Sequence, residues 1–277
     1  MLRVFSYGVA LALVVMLALP TGASAVPVVF TAAGANPAAI QATVDLFRTT
    51  LGSPDNLNAP GPLPGGRREI NWDGGGATVP APAGTPFAGF LNTRGTLFTT
   101  PGTGFTQSLE FPEINSTYPG IFQTFSPLRL FAPLGSTITD TTFFIPGTAG
   151  GTPAFVSGFG AIFTDVDNSA NASITYFDVN GTSLGTFNAP AFNNGLSFLG
   201  VFFNAGEQVA SVRIVSGNTP LGPNDGGTVD VIALDDFFFS EPQGLAIPEP
   251  TSLLLLGIGC GALVLRRCLR KRKSAGG

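Results

Sequence analysis

The 277-residue chain has no histidine, and its two cysteines, Cys260 and Cys268, both lie near the C-terminus. Between Val26 and Ala246 there is no lysine either. Six arginines (Arg48, Arg67, Arg68, Arg94, Arg129 and Arg213) face sixteen acids there, a net charge of −10. Each absence excludes a class of chemistry. Without histidine there is no His-dependent catalytic triad and no imidazole metal ligand. A body without cysteine has no disulfide, no thiolate nucleophile and no thiolate zinc site. Without lysine, no phosphate loop of the G-x-x-x-x-G-K kind is completed. So acidic a segment lacks the cations that displace counterions from a phosphate backbone, and nucleic acid is not an expected partner. Charged residues make up only 11% of the chain, against about 25% in a typical globular domain.

Glycine (37), proline (23) and phenylalanine (25) are abundant. The first two predict many turns. Disordered chains are poor in aromatic and β-branched residues, whereas this one is rich in Phe, Thr, Val and Ile, so the expectation is a folded, β-rich body.

The N-terminus has the three parts of a secretory signal. Arg3 supplies the positive start, Val4 to Leu19 is almost unbroken apolar sequence, and Ala23-Ser24-Ala25 is an A-x-A cleavage site. The expected partner is a signal peptidase cutting after Ala25, with residues 1–25 as the signal peptide and Val26 as the new N-terminus. No cysteine follows the site, which excludes a lipoprotein anchor. The apolar run is shorter than the roughly 20 residues of a retained span.

At the other end, Ile247-Pro248-Glu249-Pro250 is a rigid entry, Thr251 to Leu265 is apolar, and Arg266 to Lys273 is a basic block. The positive-inside rule puts the basic block in the cytoplasm and the body outside. Fifteen residues at about 1.5 Å each make a helix near 22 Å long, thin for a hydrocarbon core of about 30 Å. That suits an anchor that is later removed. Pro248-Glu249-Pro250 followed by an apolar helix and an arginine-rich end resembles the PEP-CTERM sorting signal of Gram-negative bacteria. The resemblance covers residues 247–273. It implies recognition by exosortase, a membrane cysteine protease that removes the tail near the Pro-Glu-Pro motif, in a bacterium that makes extracellular polysaccharide. The chain is then transiently membrane-anchored and ends at the cell surface or outside.

Residues 26–66 read as an N-terminal helix and a Pro/Gly-rich loop. Ile40, Val44, Phe47 and Leu51 fall on one helical face, Pro37 suits a first turn and Gly52 a stop. From residue 67 to 241, short β-branched and aromatic runs lie between turn residues. They include Arg68–Trp72, Thr96–Thr99, Gly104–Leu109, Thr137–Ile145, Ala154–Asp165, Val209–Val215 and Val229–Phe239. Ser173–Phe177 and Ser183–Phe187 form a hairpin through Asp178-Val179-Asn180-Gly181, where Asn-Gly supplies positive φ. About ten short strands without intervening helices predict an all-β fold, a jelly-roll-like β-sandwich. The body from Ile40 to Phe239 also resembles secreted bacterial proteins that share blocks such as Arg67–Gly74, Phe159–Asp167 and Ala233–Phe237. That resemblance implies no activity.

The candidate metal ligands are Asp165, Asp167, Asp235 and Asp236. Strand alternation places Asp165 and Asp167 on one face about 7 Å apart, where they repel unless solvated or bridged by a cation. Calcium accepts six to eight oxygens in irregular geometry, so a structural Ca2+ is the expected cofactor if there is one. The other reading is that these acids face water or cap strand ends. Asp235 and Asp236, adjacent in a strand, are expected to point to opposite faces. Trp72, Tyr118 and Tyr176 are candidates for stacking on sugar rings, or else packing residues. Glu110 and Glu113 are the nearest thing to a glycosidase pair, although Pro112 between them disrupts a strand.

The functional expectation is an exported, exosortase-sorted protein of the cell surface or extracellular matrix, without catalytic activity and associated with extracellular polysaccharide. The alternative is a carbohydrate-binding jelly-roll module with a structural calcium ion. A carboxylate-only enzyme acting on polysaccharide would need two convergent acids in one pocket.

Overall fold

The structure is a computed structural model that describes residues 26–74 and 82–245. Along the chain these form β1 (Val28–Gly34), α1 (Pro37–Leu51), β2 (Arg67–Ile70), β3 (Thr96–Thr99), β4 (Gly104–Ser108), β5 (Leu130–Leu134), β6 (Ile138–Phe143) and β7 (Ala154–Phe155). Then come β8 (Gly158–Val166), β9 (Ala172–Phe177), β10 (Ser183–Asn188), β11 (Phe192–Phe202), β12 (Ser211–Ser216), β13 (Ala233–Ser240) and β14 (Gln243–Gly244). The helix has the limits its sequence predicts. Asn36 caps its N-terminus by accepting from the Ala39 N–H, Pro37 opens it, and Gly52 closes it at φ 124°, a value open to glycine. Its four periodic residues are the buried ones.

All strand pairs in the two main sheets are antiparallel. The larger sheet runs β1-β11-β8-β13-β5-β4, with β2 also paired to β13; the smaller runs β10-β9-β12-β6-β3. Their inner faces make one core. Phe131, Phe159, Phe163, Leu234, Phe237 and Phe239 from the first meet Phe98, Phe143, Ile174, Tyr176, Val212 and Ile214 from the second. Trp72, just after β2, sits in this core. Its ring stacks on Phe131 at 3.7 Å and meets the edges of Phe90 and Phe237, while its indole N–H donates to the Asp235 carbonyl.

The outer face of the larger sheet is covered too. Phe47 and Leu51 of α1 pack with Ile162, Phe198 and Phe238. Further along, Phe111, Tyr118 and Phe122 from the β4–β5 connection pack with Leu130, Val231 and Ala233. That is why every residue of β8 and β13 is buried, and why those strands show no alternation of apolar and polar residues. The helix approaches closely at one place. Gly160 and Gly200 face each other across β8 and β11, and a Cβ on either would lie within 3 Å of the Phe47 ring.

β1 was not legible as a strand in the sequence. It has no strict alternation, and it forms by pairing with β11 over seven residues, Val28 to Gly34. The body's start is thus part of the larger sheet, not a helix and loop alone.

Candidate functional site

β8 ends in a distortion that gathers acids. Pairing with β11 slips between Phe192 opposite Val166 and Leu196 opposite Thr164. Asp165 therefore faces the three residues Asn193 to Gly195 and takes φ 67°, with Asn194 at 53°. The left-handed turn interrupts the alternation expected through Asp165 and Asp167. Asp165 is 1% exposed. Its Oδ1 accepts from the Asn194 N–H at 2.7 Å, and its Oδ2 is buried with no partner. Asp167, one residue past β8, has a buried Oδ1 that is likewise unpartnered.

Asp225, from the β12–β13 loop, completes a group in which Asp165, Asp167 and Asp225 each offer a carboxylate oxygen within 4.8 Å of the others. Its Oδ1 accepts from the Val231 N–H. Asp230 stands beside them and holds the loop to the β8–β9 corner, accepting from the N–H groups of Asp167 and Asn168 and from Asn171 Nδ2. Burial pushes the Asp165 carboxyl up to about 7, with the charges of Asp225, Asp167 and Asp230 adding to the rise. Burial, then the Asp225 and Asp230 charges, raise Asp167; burial, with the Asp230 charge, raises Asp225.

Asp235 and Asp236 are elsewhere. Pairing of β13 with β8 passes from Leu234 opposite Phe163 to Phe237 opposite Ala161, so two residues face Ile162 in a β-bulge. The bulge corrects the expectation that these side chains diverge. Asp235 accepts from the Phe125 N–H through Oδ2, its Oδ1 is buried with no partner, and Asp236 accepts from Ser126 Oγ beside it. Asp73 joins them through Ser126, and the Arg48 charge acts on Asp236. Burial first, and the Asp236 charge second, hold Asp235 well above the usual carboxylate range, while burial pushes Asp236 up to about 6. Ile162 lies three residues from Asp165 along β8, so the four sequence candidates split into two places.

The other candidates are structural. Trp72, Tyr118 and Tyr176 are 1%, 0% and 0% exposed, and among the described residues no aromatic side chain is exposed. Tyr118 Oη donates to the Pro223 carbonyl and accepts from the Gly222 N–H, and Tyr176 Oη donates to the Phe159 carbonyl. Glu113 accepts from Ser108 Oγ. Asp178 accepts from the Asn180 and Thr182 N–H groups within the β9–β10 turn, which lowers its pKa. The string Gly181-Thr182-Ser183-Leu184-Gly185 has the G-x-S-x-G spelling, but it leads from that turn into β10, not from a strand into a helix as a nucleophile elbow requires. Two grooves, of about 350 and 290 Å3, hold one acid each, Glu241 and Asp178. Glu241 is ion-paired to Arg68 at 2.7 Å.

Ala23, Ala25, Pro248, Glu249 and Pro250, with the apolar and basic segments after them, lie outside the described residues. The family model of the PEP-CTERM protein-sorting motif matches residues 246–273. No curated protein and no solved structure matches the chain. The matched motif is similar to the tail of exosortase substrates. It implies export, a transient C-terminal membrane anchor and processing by exosortase, ending at the cell surface or outside.

Proposed function

We propose that the chain is a non-catalytic structural protein of the cell surface or extracellular matrix, released by exosortase and associated with the cell's own extracellular polysaccharide. The carrying observation is where the motif begins. β14 ends at Gly244 and the matched tail starts at residue 246, so only Leu245 separates them. A cut near Pro248–Pro250 removes the tail without touching a strand.

Two features support the absence of catalysis. The sequence has no histidine, and the adjacent carboxyl pair Asp235 and Asp236 is 0% and 3% exposed, out of reach of a substrate. General acid–base catalysis needs the group within hydrogen-bond reach of the reacting atom. The buried aromatics favour a structural body over a sugar-stacking module. We also read the body as a jelly roll. β5-β13-β8-β11 in one sheet and β6-β12-β9-β10 in the other follow the order of eight strands wound as two Greek keys.

The test deletes Pro248 to Pro250 in a host that has exosortase. Membrane, polysaccharide and medium fractions are then compared. The wild type is expected to leave the membrane shortened by its tail and to be recovered with polysaccharide; the deletion variant stays in the membrane at full length. Release of the variant at wild-type size refutes the sorting reading. Wild-type protein free in the medium and absent from polysaccharide refutes the association.

A further inference from the structure

We propose that Asp165, Asp167 and Asp225 bind one calcium ion, which ties the end of β8 to the β12–β13 loop. A cluster of acids alone would not carry this. Two further observations do. Asp165 is 1% exposed, and its Oδ2 has no hydrogen-bond donor in the protein; Asp167 Oδ1 is buried and likewise without one. Buried oxygens of this kind are rare because their desolvation goes uncompensated. Two of them in one cluster of carboxylates, with ligand atoms within 4.8 Å of one another, mark a place that a cation completes.

Other acids away from full exposure differ: Glu241 has Arg68, and half-buried Glu69 has Arg48 and Arg67. Asp235 also has a buried, unpartnered oxygen, but it stands beside Asp236 and, among the described residues, in no group of three converging carboxylates. Among the described residues, no ion pair reaches Asp165, Asp167, Asp225 or Asp230.

The donor set selects the ion. All three ligands are carboxylates, and the body has no histidine or cysteine to favour zinc or copper. Three carboxylates supply up to six oxygens, bidentate or single, and water completes the shell. Calcium tolerates such an irregular set, whereas magnesium demands near-octahedral geometry. Asp230 is a positioning residue. Its oxygens are engaged by Asp167 N–H, Asn168 N–H and Asn171 Nδ2, which holds the Asp225 loop against the β8–β9 corner. The ion then bridges segments about sixty residues apart in sequence, at a corner where the fold otherwise repels itself.

The test uses the full chain purified in detergent. Calcium uptake is measured by equilibrium dialysis, and thermal unfolding is followed by Trp72 fluorescence in calcium, in magnesium and in chelator. The wild type is expected to take up one calcium saturably, and at a hundredfold excess over Kd its folding equilibrium constant rises about 100-fold. D225N is expected to lose both effects and, in chelator, to be at least as stable as wild type, because one repelling charge is gone. D178N, which alters an exposed turn, keeps both. The proposal is overturned if wild type shows no saturable uptake at millimolar calcium, if magnesium acts equally, or if D225N binds as wild type does. Should D225N fail to fold, wild-type dialysis decides alone.

Discussion

Replacing Arg68 with methionine should produce a large loss of stability. Arg68 and Glu241 are 0% and 2% exposed at their side chains. The pair is bidentate, Nε to Oε2 at 2.7 Å and Nη2 to Oε1 at 2.8 Å. Arg68 Nη1 also donates to the Leu57 and Thr93 carbonyls, while Glu241 accepts from Asn56 Nδ2 and the Leu63 N–H. The pair joins β2, the loop after α1 and the end of β13. Arg68→Met leaves the Glu241 charge buried without its cation, a loss of about 3–5 kcal/mol. A domain this size loses about 2–4 °C of Tm per kcal/mol, so a drop of about 6–20 °C is expected. The Arg213–Asp140 pair supplies the contrast. Its side chains are 47% and 29% exposed, and Arg213→Met should cost no more than about 1 kcal/mol. Urea titration of the 26–245 fragment reads both, with Trp72 fluorescence as the signal. The variant pair R68M/E241L should recover most of the loss, because no unpaired charge remains. The reasoning is refuted if R68M costs under about 1 kcal/mol, or if the double variant is as unstable as the two single changes summed.

Stability should fall as pH rises from about 4 to about 6. The Asp236 carboxyl stands at about 6 in the folded protein, against about 3.9 unfolded, so the native state holds more protons in that window and loses its advantage above it. With chelator present, D236N should melt with a shallower pH slope than wild type; an equal slope, with Asp235, Asp73, Glu69 and Arg48 unchanged around it, would exclude this pair as the source. Gly160→Val should destabilise by about 1–3 kcal/mol, since its Cβ would lie 2.8 Å from Phe47 and 2.9 Å from the Gly200 backbone. Unchanged urea unfolding in that variant would show that α1 does not need the close approach.

Local spacing carried the elements whose partners lie nearby in sequence. Ile40, Val44, Phe47 and Leu51 define a helix face by themselves, and Asn180-Gly181 defines a turn, because both depend on residues within one or two turns of chain. The C-terminal signal was readable for the same reason, as three consecutive segments of fixed character. Asp165 and Asp167 were found as a pair from i, i+2 spacing. The tertiary structure decided what depends on a partner strand. β1 exists through pairing with β11. The β13 bulge puts Asp235 and Asp236 together, and it depends on the register with β8, which no local pattern states. Asp225 joins Asp165 across about sixty residues, by a loop that Asp230 and Tyr118 hold in place. Alternation names the face of a residue along one strand, but convergence of distant loops is set by packing, so the sequence yielded two of the three clustered acids and the fold supplied Asp225.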